Sequence, residues 1–389
     1  MMEHFSIIQA LCRSALANPN TAIVQQVERL KKALEKDGNT KEAKAIADLL
    51  SVKEKSVEMA PSRISRSFVM AGEELTVNTP IPVDKETSTP LAQVIFKDAL
   101  PTDGPILNYE VEAAIESILF EWRSYDELSK IHAQPSRSCL IYGEPGTGKT
   151  HLALWIAKQI NMPVVLARLD GLMSSFLGTS SRNIGNLFAF ASKYKCVLLL
   201  DEFDAIAKLR DDPHEVGEIK RVVNTLLQNL DLRGKIGFTI GITNHEGLLD
   251  PAIWRRFDTQ IHIPKPSKEI IPTLIQRFMQ PVEITEIDIQ FLTWAIEGSS
   301  GADIESLARW VKKSLVLHPD ASIVSHIKKF ALLNSGRISN HKKEILSLPE
   351  TELITTLARA TNYNFNQTDL AHLLKKSQSS VSKLLSKIK

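Results

Sequence analysis

The sequence predicts an α/β protein built on a parallel sheet, with additional helical regions toward both termini. Between residues 105 and 264, short apolar segments alternate with segments whose apolar residues recur at helical spacing. One apolar segment runs through a glycine-rich turn into a helical one, and from about residue 265 onward the pattern is helical. Strands alternating with helices are typical of a sheet sandwiched between helices.

The chain is long enough for more than one domain, since its 389 residues exceed the usual size of about 150 per domain. It contains no apolar run long enough to span a bilayer, and the start Met1-Met2-Glu3-His4-Phe5 lacks the features of a signal peptide. The three cysteines form no C-x-x-C pair, which is typical of free thiols in a reducing compartment. We therefore expect a cytoplasmic protein without membrane insertion, divided into five segments: 1–50 (N-terminal helical bundle), 51–104 (linker or extended segment), 105–264 (large α/β domain), 265–336 (helical domain) and 337–389 (C-terminal helical region).

The N-terminal segment has the pattern of three short amphipathic helices. The first covers about residues 5–17, the second ends near Gly38, and the third includes Ala43 and Ile46. A bundle of this size has a marginal core, and two roles stay open: a solubilising or oligomer-stabilising appendage, or an adaptor for a substrate or partner. The segment 51–104 is rich in Ser, Thr and Pro, which predicts an extended linker with one or two short strands such as 67–70.

The most specific motif lies between a predicted strand at 138–142 and a helical pattern that follows it. It has the spacing G-x-x-x-x-G-K-[ST] of a phosphate-binding P-loop. Backbone N–H groups of such a turn close around phosphates, and the helix N-terminus adds a favourable partial charge. Lys149 is expected to reach the terminal phosphates and Thr150 to place its hydroxyl on Mg²⁺. The predicted nucleotide-binding residues are Gly143, Glu144, Pro145, Gly146, Thr147, Gly148, Lys149, Thr150 and the adjacent His151.

A second motif ends another predicted strand, at 196–200, with the acids Asp201 and Glu202. Asp201 suits the Mg²⁺ shell, which it is expected to hold through a water, and Glu202 is placed to polarise an attacking water. Strands often end in polar residues, but this pair follows a P-loop by about 50 residues, a spacing that indicates hydrolysis of the bound nucleotide. Two further strands are predicted, at 163–167 and 236–242.

With these motifs, residues 105–310 resemble an AAA ATPase, which implies ATP as the nucleotide and a ring, typically a hexamer. Ser175-Phe176-Leu177-Gly178 lies where AAA unfoldases carry the loop that lines the central pore. The resemblance implies that Phe176 grips a translocating polypeptide, with Leu177 as its apolar neighbour and Gly178 as a hinge. The alternative for Phe176 is an ordinary core aromatic.

Two further segments resemble the hydrolytic parts of this family. The strand ending in Thr243-Asn244 implies that Asn244 is sensor 1, which positions the hydrolytic water; otherwise Asn244 is a turn former. Residues 249–258 resemble the arginine-finger segment of the meiotic clade, which includes katanin, spastin and the vacuolar-sorting ATPase. The resemblance implies that Arg255 and Arg256 reach the nucleotide of a neighbouring subunit. Without that context they are a solvated basic pair.

The run Gly298-Ser299-Ser300-Gly301-Ala302-Asp303-Ile304 resembles the start of the AAA lid helix. It implies that Gly301 and Ala302 leave room for adenine and ribose, whereas Asp303 is expected to cap the helix. On the other side of the base, residues 106–108 lie where the family places its adenine-flanking loop. The helical region after the lid is longer than in the meiotic clade, so the substrates of katanin and spastin do not transfer.

The C-terminal segment contains a helix-turn-helix pattern, with helices at about 367–374 and 377–385. Gln378, Ser379 and Ser382 are then exposed and able to meet base edges, and from residue 337 onward nine Lys and Arg stand against four Asp and Glu. Against a DNA reader, the turn has Lys375-Lys376 where glycine is usual, and a non-glycine residue at positive φ costs about 1–2 kcal/mol. DNA binding, protein docking and a purely structural bundle stay open.

These expectations favour an ATP-driven protein remodeller that threads polypeptide through a ring pore. The sequence has no protease motif of the H-E-x-x-H or G-x-S-x-G type, so degradation would require a separate protease or effector, as in stress or phage-defence modules. The principal alternative is a nucleic-acid ATPase that uses residues 337–389 to bind DNA. A nucleotide-gated adaptor is a third, which Glu202, Asn244 and the arginine pair oppose, since a pure switch needs no hydrolytic set.

Overall fold

The computed structural model divides into two compact units, residues 1–66 and 67–389. The described residues are 8, 21–47, 72–168, 172, 179–202, 204, 216–233, 237–360, 363 and 365–386.

The described part of the first unit consists of two helices joined by a tight turn. Helix α1 spans Thr21–Lys36, and a second helix covers residues 40–47. Gly38 has a φ of 76° in the turn, a conformation that glycine adopts at little cost. Val27, Leu34, Ala43 and Ile46 are buried together between the helices. The second and third predicted helices are thus present; residue 8 is helical, and the rest of 5–17 lies outside the described residues.

The second unit is organised around a six-stranded sheet with the order β1-β3-β4-β5-β2-β6. Neighbouring strands in the sheet are parallel except for the antiparallel pair β1–β3. The four predicted strands are confirmed within two residues at each end, and β1 and β6 were not predicted. The strands are β1 (Ala92–Ile95), β2 (Ser138–Tyr142), β3 (Val164–Ala167), β4 (Val197–Leu200), β5 (Phe238–Thr243) and β6 (Thr259–His262).

Strand β1 lies in the segment 51–104, which the sequence predicts to be an extended linker with one or two short strands; the example given, 67–70, lies outside the described residues. It pairs with β3, and Leu91 and Ala92 are buried against the sheet. Pro90 precedes the strand and forms an isolated bridge with Val83, closing a loop in which Asp84 accepts a 2.7 Å hydrogen bond from the Glu86 N–H. The prolines therefore mark a tight turn before an edge strand, the position where a sheet tolerates proline.

Helices cover both faces of the sheet, as the sequence predicts. On one face lie α2 (Tyr109–Arg123) and α4 (Lys149–Gln159), and on the other α5 (Thr179–Ala191) and α6 (Val216–Leu232); the short α3 (Tyr125–Lys130) follows α2, and α7 (Pro251–Trp254) precedes β6. Successive side chains of β4 alternate between the two cores, so this strand is buried on both sides. Cys139 and Cys196 are buried free thiols, and burial raises the pKa of Cys139 to about 12.

The rest of the unit is helical, and its core is continuous from Ile271 to Val381. Residues on both sides of the predicted division at 336/337 therefore share one apolar interior. No described helix combines the length and apolar character that a membrane span requires. The helices are α8 (Ile271–Met279), α9 (Glu286–Ile296), α10 (Gly301–Leu317), α11 (Ile323–Leu333), α12 (Asn340–Ser347), α13 (Glu350–Ala358), α14 (Gln367–Leu374) and α15 (Gln378–Ser386).

Candidate functional site

The glycine-rich turn leaves β2 at its carboxyl end and enters α4 at Lys149. Gly143, Gly146 and Gly148 have φ values of 142°, 77° and 93°. Residues with a Cβ adopt such backbone conformations only with strain. A Cβ at position 143 would lie 2.3 Å from the carbonyl oxygen of Ile263, just after β6, so only glycine fits at this position. These conformations bend the backbone into the phosphate-binding turn that the motif predicts.

Lys149 is buried at the start of α4 and lies against the turn. Its Nζ donates hydrogen bonds to the carbonyl oxygens of Gly143 at 2.8 Å and Glu144 at 2.7 Å. Burial lowers the pKa of Lys149, and the charges of Asp201, Asp204 and Glu144 act in the opposite direction. The ammonium is thus held at the turn, where a phosphate would compete with the carbonyl oxygens as a stronger, charged acceptor.

Thr150 and Asp201 come together although they are 51 residues apart. The Thr150 Oγ1 donates to the Asp201 Oδ2 at 2.9 Å. Asp201 follows β4 and Thr150 follows β2, and both strands end at the same edge because the sheet is parallel here. A hydroxyl and a carboxylate at one point are oxygen ligands of the type that Mg²⁺ prefers, so the residues present fit this ion.

Glu202 is exposed beside this pair and has a φ of 52°, in the left-handed region. Its N–H donates to the Asp201 Oδ1 at 2.9 Å. A non-glycine residue in this region costs about 1–2 kcal/mol, and such strain is common at active sites. The two carboxylates therefore have different roles available to them: Asp201 is engaged with Thr150, and Glu202 faces solvent.

Asn244 follows β5, so it lies at the same edge, where Thr243 pairs with Tyr142 just before the turn. Asp204, which is buried, connects this strand end to the acids: its Oδ1 accepts from Thr243 Oγ1 at 3.1 Å and from the Asn244 N–H at 3.5 Å. The His245 Nε2 lies 3.9 Å from its Oδ2. Sequence reasoning missed Asp204, although an acid two residues after Glu202 was a visible signal.

The lid helix α10 begins directly against the glycine-rich turn. The Ala302 N–H donates to the Gly146 carbonyl oxygen at 2.9 Å, and a Cβ at Gly301 would lie 3.2 Å from that oxygen. Ser300 and Asp303 form a capping box, which confirms the predicted cap. The Ala302 N–H, which has no partner within the helix, thus uses the turn as its acceptor. That Gly301 and Ala302 leave room for adenine and ribose stays a prediction.

The segment 106–108 lies at the junction of the sheet and helical cores. Ile106 packs against the helical core and Leu107 against a core of the sheet. The Asn108 Oδ1 is buried and has no hydrogen-bond partner among the described residues. A buried acceptor without a donor fits a ligand that carries an amino group, as adenine does.

Comparison with known proteins assigns the family. The model of the AAA family, the ATPase family associated with various cellular activities, matches residues 139–265. An uncharacterized AAA family ATPase, y4kL, from Sinorhizobium fredii is 33% identical over 296 residues, which cover 75% of this chain and 89% of the relative. The chain belongs to the AAA family. It is an ATPase, as its sequence predicts.

This AAA ATPase is also similar to better described proteins over shorter stretches. The proteasome-activating nucleotidase of Thermococcus gammatolerans is 30% identical over 245 residues, or 59% of each chain, so the match spans less than two thirds of that relative. The FIGL-1 AAA domain is a solved structure that covers 66% of this chain and 88% of its own, at 20% identity and a TM-score of 0.47.

The arginine pair of the AAA ATPase lies near the amino ends of the parallel strands β2 and β6, whereas the glycine-rich turn lies at the carboxyl end of β2. Two residues separate the pair from β6, whose Thr259 pairs with Cys139 near the start of β2. Asp258 fixes this end, because its Oδ2 accepts from the N–H groups of Arg137 at 2.7 Å and Ser138 at 3.0 Å. Arg255 and Arg256 line a pocket of about 480 Å³ here.

The two arginines of the AAA ATPase differ in their surroundings. The Arg256 Nε lies 3.2 Å from the Asp231 Oδ1, and its Nη1 donates to the Ala252 carbonyl oxygen at 3.2 Å. Arg255 is exposed. Asp231 lies near the C-terminus of α6, and nothing in its local sequence indicates that it pairs with Arg256.

The remaining predicted residues of the AAA ATPase site are placed as follows. The Glu144 Oε2 lies 2.6 Å from the Lys265 Nζ, and the Thr147 Oγ1 donates to the Glu144 carbonyl oxygen at 3.0 Å. The His151 Nε2 is 3.2 Å from the Asp103 carbonyl oxygen. Pro145 is exposed on the turn. Phe176, Leu177 and Gly178 lie outside the described residues, so the pore segment stays a prediction.

Proposed function

We propose that this AAA ATPase is a protein remodeller that assembles as a homohexameric ring, hydrolyses ATP with Mg²⁺ at its subunit interfaces, and draws polypeptide through a central pore. One observation carries the proposal: Arg255 is exposed at the edge of the sheet that lies opposite its own phosphate-binding turn. An arginine in that position lies out of reach of its own chain's nucleotide, so in our proposal it acts on the nucleotide of another subunit.

The length of β2 supports this separation. The strand covers five residues, Ser138–Tyr142, between the Asp258 contact at one end and the glycine-rich turn at the other. Five residues of a strand span about 16 Å. Arg255 therefore lies too far away to contact phosphates held at the turn of its own chain, and a ring brings it to a neighbour's site.

Each nucleotide-site residue has a distinct task in the proposed hydrolysis. Bound Mg²⁺ would supply Lewis-acid stabilisation of phosphoryl charge, with Thr150 and Asp201 as its protein ligands, Asp201 through a water. Lys149 would exchange its contacts with the turn for the terminal phosphates. Glu202 would accept the proton of the attacking water, and Asn244 would orient that water.

The neighbouring subunit completes this chemistry in the proposal. Arg255 would stabilise the charge that develops on the transferred phosphoryl group, and Arg256 would hold the second position of the pair. Asp231 would orient Arg256 through their ion pair, so that α6 of one subunit positions a group that acts on the next.

The polypeptide part of the proposal depends on Phe176, Leu177 and Gly178, between β3 and α5. Similarity to the proteasome-activating nucleotidase supports a function in which unfolded chains are passed to a partner. Since no protease motif of the types named above occurs in this sequence, that partner, a protease or another effector, would be a separate protein.

Replacing the proposed pore aromatic tests the threading function. Phe176→Ala is expected to leave basal ATP turnover within a few-fold and to abolish unfolding of a tagged fluorescent substrate, because the ring contacts the threaded chain rather than the nucleotide. The matched control is Phe120→Ala on α2, whose side chain is 67% exposed. An insoluble or unfolded Phe176→Ala protein would instead identify Phe176 as a core aromatic.

Replacing Asp231 tests whether the ion pair orients Arg256. We expect Asp231→Asn to lower kcat but less than Arg256→Ala does, with KM for ATP unchanged and Asp231→Glu restoring activity. Both side chains are partly exposed to solvent, and such a pair contributes only about 0–1 kcal/mol to stability, so Tm should stay constant. A kcat that is unchanged in Asp231→Asn would show that Arg256 does not need this contact.

A further inference from the structure

The last three helices form a three-helix unit of the kind found in helix-turn-helix proteins. Helices α13, α14 and α15 pack on one another. Their contact is apolar, with Leu353, Leu370 and Val381 fully buried in the helical core. Val381 is the only fully buried residue of α15 among those described. The helix therefore packs against the core along one narrow stripe and exposes the rest of its surface.

The turn between α14 and α15 is formed despite its lysines. Lys375 has φ 52° and ψ 46°, the left-handed conformation that closes a helix. The N–H of Lys375 donates to the carbonyl oxygen of His372 at 3.0 Å, and the N–H of Lys376 donates to the carbonyl oxygen of Ala371 at 2.9 Å. The sequence argued against this motif because lysine stands where glycine is usual. In the structure Lys375 nevertheless adopts the left-handed conformation that the turn requires.

Both lysine side chains secure the turn to the rest of the helical region. The Lys375 Nζ donates to the Pro319 carbonyl oxygen, and the Lys376 Nζ pairs with the carboxylate of Glu350 at the start of α13. These contacts offset part of the cost, about 1–2 kcal/mol, of a non-glycine residue at this position. They also hold α14 and α15 at a defined angle to α13.

The outer face of α15 is polar and carries no acidic residue. Gln378, Ser379, Ser382 and Lys383 are all exposed. Ser377 caps the helix, because its Oγ accepts from the Ser380 N–H at 3.3 Å. Amide and hydroxyl groups on the first two turns of such a helix are the side chains that can hydrogen-bond to base edges in the major groove.

The basic residues of this region differ in whether a carboxylate pairs with them. Arg337, Lys342 and Lys376 pair with Asp303, Glu297 and Glu350 respectively. Arg359, at the end of α13, and Lys383, on α15, are exposed and form no ion pair within the described part of the chain. Lys383 belongs to the polar face itself, and Arg359 ends a helix that packs against α15. Both cations are therefore available to a polyanion.

We propose that α15 binds duplex DNA in the major groove. Gln378, Ser379 and Ser382 face the base edges, and Lys383 and Arg359 contact the phosphate backbone. Charge complementarity favours DNA over a protein partner, because the face combines uncommitted cations with small polar groups and exposes no large apolar anchor of the kind on which protein interfaces depend. The site is independent of the ring function proposed above.

The test uses the full chain and short DNA duplexes, with binding followed by fluorescence anisotropy across a salt series. Lys383→Ala is expected to weaken binding to all sequences alike and to lower the salt slope by about 1, since one phosphate contact is lost. Gln378→Ala, assayed on a duplex selected from a random pool, should reduce the preference for that duplex by about 5- to 100-fold. The matched control is Lys313→Ala, an exposed lysine on α10.

ATP turnover close to that of the unmodified chain verifies that each variant is folded. The proposal is overturned if the full chain does not bind duplex DNA at about 150 mM salt. It is equally overturned if binding is unaffected by Lys383→Ala combined with Arg359→Ala, or is weakened to the same degree by Lys313→Ala. A protein partner that is lost on Gln378→Ala, in a chain that binds no DNA, would assign this face to protein docking.

Discussion

Glu202→Gln is expected to abolish ATP turnover while leaving ATP affinity unchanged, and to trap assembled rings. The amide cannot accept a proton from the attacking water, and removal of a general base costs about 10²- to 10⁴-fold in rate. Lys149, Thr150 and Asp201, which hold the phosphates and metal in our proposal, keep their contacts because Glu202 bonds to Asp201 only through its backbone N–H.

Steady-state turnover, ATP binding by the purified chain, and particle size with and without ATP together test this expectation. Glu116→Gln, an exposed glutamate on α2, is the matched control and should behave like the unmodified chain. Turnover near the unmodified level in Glu202→Gln would remove this carboxylate from the reaction, and a loss of ATP affinity would make it a binding residue instead.

Arg255→Ala should keep nucleotide binding and reduce turnover by up to about 10³- to 10⁵-fold, the range known for arginine fingers supplied in trans. Arg256→Ala should also lower turnover sharply. Neither arginine can contact the turn of its own chain, since both lie at the other end of β2. Arg123→Ala, an exposed arginine at the end of α2, is the control.

Mixing two inactive variants separates a shared site from a site within one chain. Arg255→Ala subunits carry an intact P-loop, and Lys149→Ala subunits carry intact arginines. Mixed rings should therefore recover part of the turnover at interfaces that combine the two intact halves. If mixed assembly is confirmed by co-purification of differently tagged subunits and no activity returns, the model of a shared site is refuted.

The nucleotide-binding edge was predictable because each of its parts depends on a short stretch of sequence. A glycine-rich turn between a strand and a helix, and acids at the end of another strand, are local patterns. Parallel strands bring their carboxyl ends to one edge, so the 2.9 Å contact between Thr150 and Asp201 follows from two motifs that were identified separately. The four strands that carry this edge were predicted for the same reason.

Contacts that join distant parts of the chain were not predictable in this way. Asp231 reaches Arg256 from the end of α6, and Asp258 holds the start of β2, only because the strands adopt one particular register. Strand β1 was not located within the predicted linker, because the prolines of that segment indicate turns but do not indicate which strand lies beside them. His372 is 3.2 Å from Asp288 across the predicted boundary at 336/337, a contact between segments that appeared separate.

By itself, the sequence determined the fold class, the nucleotide-binding turn, the acids that follow β4 and the two helices of the C-terminal motif. Each of these is encoded by residue type and spacing over a few turns or one strand. The tertiary structure alone decided that the lid helix contacts Gly146, that Arg256 pairs with Asp231 whereas Arg255 is exposed, and that the C-terminal helices share the lid core. Those outcomes depend on which surfaces meet once the chain is compact, because hydrogen bonds and apolar burial between remote segments leave no periodic trace in the sequence.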